Sequence, residues 1–137
     1  MKRETRNVKR FQRGFTLIEL MIVISIIVIL ISAAMPMYNQ SIIRAREAVL
    51  RDDLFTLRSV IDQFTLDKQR APQSLDELVQ EHYLKAIPKD PFTNSSETWQ
   101  VTQEDTIMSV DQTQPGISDV HSGSNLVGSD GSAYSSW

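Results

Sequence analysis

Positions 15–35 read FTLIELMIVISIIVILISAAM, an apolar run whose one charge is Glu19 and which Ser25 and Ser32 alone break after that point. Its 21 residues reach the roughly 20 that a helix needs to cross a bilayer. A secretory signal peptide fits poorly, because the stretch is too long and no Ala-x-Ala site leads into a soluble domain. Past Pro36 the pattern turns amphipathic. Ile43, Leu50, Leu54, Leu57, Ile61 and Phe64 fall at steps of seven, four, three, four and three, the intervals of one helical face. Arg44, Arg46, Glu47, Arg51, Asp52, Asp53, Arg58, Asp62 and Asp67 take the other positions, as a solvated exterior of mixed sign. Ala71-Pro72 ends the helix, since the residue before a proline is pushed out of the α region. A continuous helix over residues 15–70 would be roughly 84 Å long. Pro36 lies inside it and has no N–H for the Ser32 carbonyl, so a kink or local unwinding is expected there.

Beyond the proline, Ser74-Leu-Asp-Glu77 has the spacing of a capping box and predicts a short helix from Leu75 to about Leu84, with Leu75, Leu78, Val79 and Tyr83 facing the long one. Residues 87–92, IPKDPF, form a rigid connector, because two prolines three apart forbid both helix and central strand. Residues 98–102 and 106–110 alternate in polarity and predict a hairpin. From Gln114 onward Gly, Ser, Asp and Asn dominate, which predicts loop, with Tyr134 and Trp137 pinning the tail back onto the domain.

Charge adds a direction. Residues 1–14 hold six Lys/Arg and one acid, a net +5, which leaves −8 of the total −3 for residues 15–137. Cations beside an apolar segment are retained in the cytoplasm. The acidic remainder argues against nucleic-acid binding, which needs clustered cations to displace counterions. At 137 residues the chain has room for one small domain besides the apolar segment. There is no cysteine, so disulfides, thiolate nucleophiles and Cys-ligated metals are all excluded.

Arg13-Gly14-Phe15-Thr16-Leu17-Ile18-Glu19 resembles the class III leader junction of type IV pilins and type II secretion pseudopilins. That resemblance implies a prepilin peptidase that cuts between Gly14 and Phe15 and methylates the new amine on Phe15. Glu19 then becomes the fifth residue of the mature chain and Pro36 the twenty-second, both as in the family. It also gives the intramembrane carboxylate a purpose, since a charge in hydrocarbon is costly and calls for a named partner. The freed amine of Phe15 is a cation at the same depth. The implied assembly residues are Phe15, Glu19 and Pro36, with Glu19 of an incoming subunit meeting the Phe15 amine of one already in a filament. Ser25 and Ser32 permit close helix approach but receive no role.

Residues 83–92, YLKAIPKDPF, look like the connector that follows the second helix in major pseudopilins of type II secretion, although Phe92-Thr-Asn94 stands where the family often has Trp-Gly. The tail then lies where major pseudopilins hold a calcium ion. Calcium takes six to eight oxygens, and Asp119, Ser122, Asn125 and Asp130 are the implied side-chain donors. The spacing is not that of an EF-hand, and Asp-Gly and Ser-Gly pairs are also plain turn formers. Asp119, His121 and Ser122 invite a hydrolase reading, but neighbours in one loop do not make a triad with its base held between nucleophile and orienter. His82 reads as a surface or half-buried histidine.

The expected architecture is α+β, a type IV pilin-like lollipop. Residues 1–14 are a leader to be removed, 15–36 a transmembrane and filament-core helix, and 37–137 a periplasmic globular domain that includes the second half of the long helix. The implied role is non-enzymatic: a subunit of the periplasmic pseudopilus, anchored in the bacterial inner membrane. Its implied partners are copies of itself, the prepilin peptidase, minor pseudopilins and the inner-membrane assembly platform. Two alternatives stay open, a subunit of a surface type IV pilus and a membrane-anchored binding domain that does not polymerise.

Overall fold

The structure is a computed structural model that describes residues 14–104 and 114–137. The chain divides into two units, residues 1–39 and 40–137. In the described part of the first, the apolar run is helical from Leu17 onward and every residue is exposed to the surroundings. It belongs to helix α1, Leu17–Lys68, which is long and apolar enough to cross a membrane. Ser25 and Ser32 each turn the hydroxyl back onto the carbonyl four residues earlier, Met21 at 2.7 Å and Val28 at 2.8 Å. Neither therefore brings an unsatisfied donor to the apolar surface. Helix α1 stays helical through Pro36, so of the kink or local unwinding expected there, the unwinding is not seen.

In the second unit the core forms along one face of α1. Leu50, Leu54, Leu57, Ile61 and Phe64 are buried, as their spacing predicts. The face starts later than expected, because Ile43 is 44% exposed. Helix α1 ends at Lys68, and Gln69 follows with φ 55°, a left-handed conformation that no longer continues the helix. Helix α2, Leu75–Gln80, opens on Ser74, whose hydroxyl accepts the Glu77 N–H at 3.2 Å. It is shorter than expected. His82 takes φ 63° just after it, and the Tyr83 and Leu84 N–H groups both return to the Leu78 carbonyl, closing the helix as a left-handed cap does. Tyr83 then packs edge-on against Phe64, with ring centroids 5.3 Å apart.

Among the described residues there are two strands, β1, Gln100–Gln103, and β2, Ile117–His121, paired antiparallel. Gln100 faces His121, Val101 faces Val120 and Thr102 faces Asp119, with an irregularity between Thr102 and Gln103. The expected hairpin is corrected in its second arm. The partner of β1 is β2, inside the stretch expected to be loop, while residues 106–110 lie outside the described residues. Ile117 and Val120 explain the pairing, since both are buried against the α1 face and supply the apolar anchors that the Gly- and Ser-rich composition obscures. Phe92, Tyr134 and Trp137 complete the core. Phe92 stacks on Tyr134 at 3.9 Å, and Tyr134 meets Trp137 edge-on at 5.0 Å.

Candidate functional site

The junction at the head of α1 is open on all sides. A Cβ built on Gly14 would meet nothing within 4 Å, so the fold itself makes no demand for glycine at that position. Phe15 is 84% exposed. Thr16 opens the helix: its hydroxyl accepts the Glu19 N–H at 3.3 Å and its carbonyl accepts the Leu20 N–H at 3.2 Å. Thr16 thus caps the helix with its side-chain oxygen, a role that sequence reasoning passed over. Among the described residues the Glu19 carboxylate has no ion-pair partner. It is the one charge in the apolar run 15–35 and lies one turn from Phe15.

The four residues expected to hold calcium are spread over separate contacts. Asp119 Oδ1 accepts Arg58 Nε at 2.6 Å and the Val120 N–H at 2.8 Å. Ser122 is fully buried, with its hydroxyl donated to Asp90. Asp130 Oδ1 accepts the N–H of Ser132 at 2.9 Å and its hydroxyl at 2.6 Å, while Oδ2 lies 3.9 Å from Arg51. Asn125 is exposed on the segment between them. Among the described residues no group of three or more His, Asp or Glu side chains is placed to hold a metal ion. The donor set does not fit calcium, because its strongest member already neutralises a guanidinium and its hydroxyl is spent on a buried carboxylate. The hydrolase arrangement is not assembled either. His121 Nε2 lies 3.4 Å from Asp119, but Ser122 points to Asp90, and His121 Nδ1 contacts the main-chain oxygen of Trp137 at 2.6 Å.

Three polar residues that do organise this region were missed. Glu47 and Arg58, expected on the solvated exterior of α1, turn inward. Glu47 is 5% exposed and its carboxylate accepts the Ser129 N–H at 2.7 Å, the Ser129 hydroxyl at 2.6 Å and the Tyr134 hydroxyl at 2.9 Å. The Ser129 hydroxyl does most to hold the Glu47 carboxyl below its ordinary 4.5, with burial opposing and the Ser129 N–H, Tyr134 and Arg51 assisting. Burial first, and then the hydrogen bond to Glu47, push the Tyr134 phenol from 10 up to about 12. For Asp119, burial opposes ionisation but is outweighed by the Val120 N–H and by Arg58, so its carboxyl stays below the ordinary 3.8. Asp90, in the connector, is fully buried: one oxygen accepts the Phe92 N–H at 2.9 Å, and the other accepts the Ser122 hydroxyl and the Gly123 N–H. Asp-Pro at positions 90–91 was the available signal, since a carboxylate before a proline turn commonly bonds the backbone two residues on.

These two regions, an apolar N-terminal helix headed by Gly-Phe and a small domain closed over its own helix, define a class. Residues 9–35 match the prokaryotic N-terminal methylation motif. The type II secretion system core protein G of Aeromonas hydrophila is 34% identical over 102 residues, covering 63% of this chain and 71% of that protein. Its counterpart in Escherichia coli K12 is 36% identical over 101 residues, covering 61% of this chain and 68% of that protein. The type IV major fimbrial protein FimA of Dichelobacter nodosus is 34% identical over 88 residues, 64% of this chain and 55% of that protein. No solved structure matches the chain. The chain belongs to the type II secretion system core protein G family, the major pseudopilins.

Proposed function

We propose that this protein is the repeating subunit of the periplasmic pseudopilus that drives export by type II secretion. The observation that carries the proposal is the fully exposed apolar run 15–35 directly behind an RGFTLIE junction, in a chain of the core protein G family. Prepilin peptidase cuts the leader after Gly14 and methylates the Phe15 amine. The apolar surface then serves twice, first against lipid and later against neighbouring helices in the filament core. The six cations of the leader keep the N-terminus in the cytoplasm, so residues 37–137 lie in the periplasm.

During assembly, Glu19 of an incoming copy meets the Phe15 amine of a copy already in place, and each neutralises the other. Removing one partner leaves the other buried and uncompensated, at a cost of about 3–5 kcal/mol. Charge matching thereby sets the axial register, and Pro36 lets the helix adjust as lipid contacts are exchanged for protein contacts. The subunit catalyses nothing. Its partners are further copies, the peptidase that processes it, minor pseudopilins and the inner-membrane assembly platform.

The test is deletion of the gene in its own host, with released proteins compared against surface filaments. Loss of specific secreted proteins with surface filaments intact is the expected result. Loss of surface filaments with normal secretion would make the chain a pilus subunit instead, the reading to which the fimbrial relative lends support. Full complementation by Glu19→Ala would leave only a membrane-anchored domain that does not polymerise.

A further inference from the structure

We infer that Arg58 is the internal cation of the C-terminal tail: its guanidinium binds the oxygens that a tail-closing metal ion would need, and the tail folds without calcium. Arg58 leaves α1 at a half-buried position and reaches three oxygens from distant parts of the chain. Nε donates to Asp119 Oδ1 at 2.6 Å, and Nη2 donates to the Val120 carbonyl at 2.9 Å and to the main-chain oxygen of Trp137 at 2.7 Å. A carboxylate and two main-chain oxygens are donors of the kind that a hard divalent cation selects. Here they converge on a planar, permanently charged fork whose hydrogens point at them in fixed directions.

The mechanical result is the one a metal would give. Residues 61, 62 and 79 positions along the chain from Arg58 are held to one point on α1. The arrangement also disfavours a metal. A divalent ion at Asp119 would have to displace Arg58 or sit beside it, and like charges at contact distance repel. His121 faces the same carboxylate at 3.4 Å and the same Trp137 oxygen at 2.6 Å, adding a second nitrogen group to the oxygen cluster. On the other side of the tail, Arg51 stacks on the Trp137 ring at 4.3 Å and lies 3.9 Å from Asp130. One arginine of α1 thus holds Asp119, and a second lies near Asp130, the other acidic group of the expected ligand set.

The experiment is thermal unfolding of the full chain in detergent micelles, followed by tryptophan fluorescence, with calcium chloride or with EGTA. The wild-type midpoint is expected to be the same in both. Arg58→Met is expected to lower it by on the order of 10 °C, with no recovery on adding calcium chloride. Arg58→Lys, which keeps the charge but not the fork, should fall between. A wild-type midpoint that drops in EGTA and returns with calcium chloride would overturn the inference, as would an Arg58→Met midpoint equal to wild type. Should Arg58→Met fail to fold, Asp119→Asn decides the matter together with the chelator arm: a lowered, calcium-insensitive midpoint supports the internal cation, and a wild-type midpoint refutes it.

Discussion

Replacing Glu47 tests whether a single carboxylate on α1 latches the tail. The side chain accepts three hydrogen bonds, two from Ser129 and one from Tyr134, across more than eighty residues of sequence. Hydrogen bonds to a charged acceptor contribute roughly 1.5–3 kcal/mol each, and bonds that share one group do not add fully. Ser129 is exposed and recovers much of its loss by turning to water, whereas the Tyr134 hydroxyl is buried and cannot. Glu47→Ala should therefore destabilise the domain by about 3 kcal/mol, mostly through the stranded phenol. Glu47→Gln retains one accepting oxygen at the same place and should cost about half as much. For a domain of about 100 residues these values correspond to midpoint losses of roughly 12–24 °C and 6–12 °C.

Trp137 reports on the transition, because its ring touches Tyr134 and its indole N–H bonds Ser132 at 2.6 Å. Melting of the full chain in micelles, read by tryptophan emission, gives the midpoints. A double-mutant cycle with Tyr134→Phe isolates the pair, and a coupling of about 1 kcal/mol or more is expected. If Glu47→Ala melts within the roughly 0.5 kcal/mol typical of surface substitutions, the latch does not exist and Glu47 is the ordinary exterior residue that its spacing suggests.

Stability should fall at both ends of the pH scale, for opposite reasons. Glu47, Glu77 and Asp119 are held below their ordinary 4.5, 4.5 and 3.8. The unfolded chain therefore takes up protons first, and stability that is complete above these values is lost as the pH drops through them toward the lower folded values. Tyr134 is raised from 10 to about 12, so its contribution is complete below pH 10 and disappears as the pH climbs toward 12. A melting series across pH checks both limbs, and a midpoint that rises on acidification would contradict the first. Gly123→Ala would place a Cβ 2.0 Å from the Thr98 carbonyl oxygen, so the backbone must shift. A loss of about 1–3 kcal/mol in urea unfolding is expected, and an unchanged midpoint would mean that this approach is looser than it looks. Gly14→Val, by contrast, places a Cβ with nothing within 4 Å and should leave melting untouched while blocking removal of the leader. Intact mass after expression with the peptidase separates a retained leader from a removed one.

How much of this was legible in the sequence depended on how far each contact reaches. The apolar run, the buried face Leu50 to Phe64 and the Ser74 cap all rest on interactions within a few residues, and all were read correctly from spacing. Strand β2 was not. It is only five residues long, its two buried residues, Ile117 and Val120, stand three apart rather than alternating, and it sits in Gly- and Ser-rich surroundings. Its identity as a strand is conferred by β1, across an interval that local propensity cannot see.

The polar residues of α1 make the same point more sharply. Arg44, Glu47, Arg51 and Arg58 all occupy positions between the apolar stripes, and helical periodicity treats them alike. What separates them lies at the far end of the chain. Glu47 is drawn in by Ser129 and Tyr134 and Arg58 by Asp119, Val120 and Trp137, whereas Arg51 stays exposed with its guanidinium over the Trp137 ring, and Arg44 makes no hydrogen bond or ion pair to the tail among the described residues. The stripe of a helix is thus set by its own residues, but the fate of its flanking charges is set by whatever later segment must be satisfied against them. A tail with few apolar side chains can hold its place only through such bonds, because it has little surface to bury. The same scarcity that made residues 114–137 read as loop is what requires Glu47 and Arg58 to turn inward.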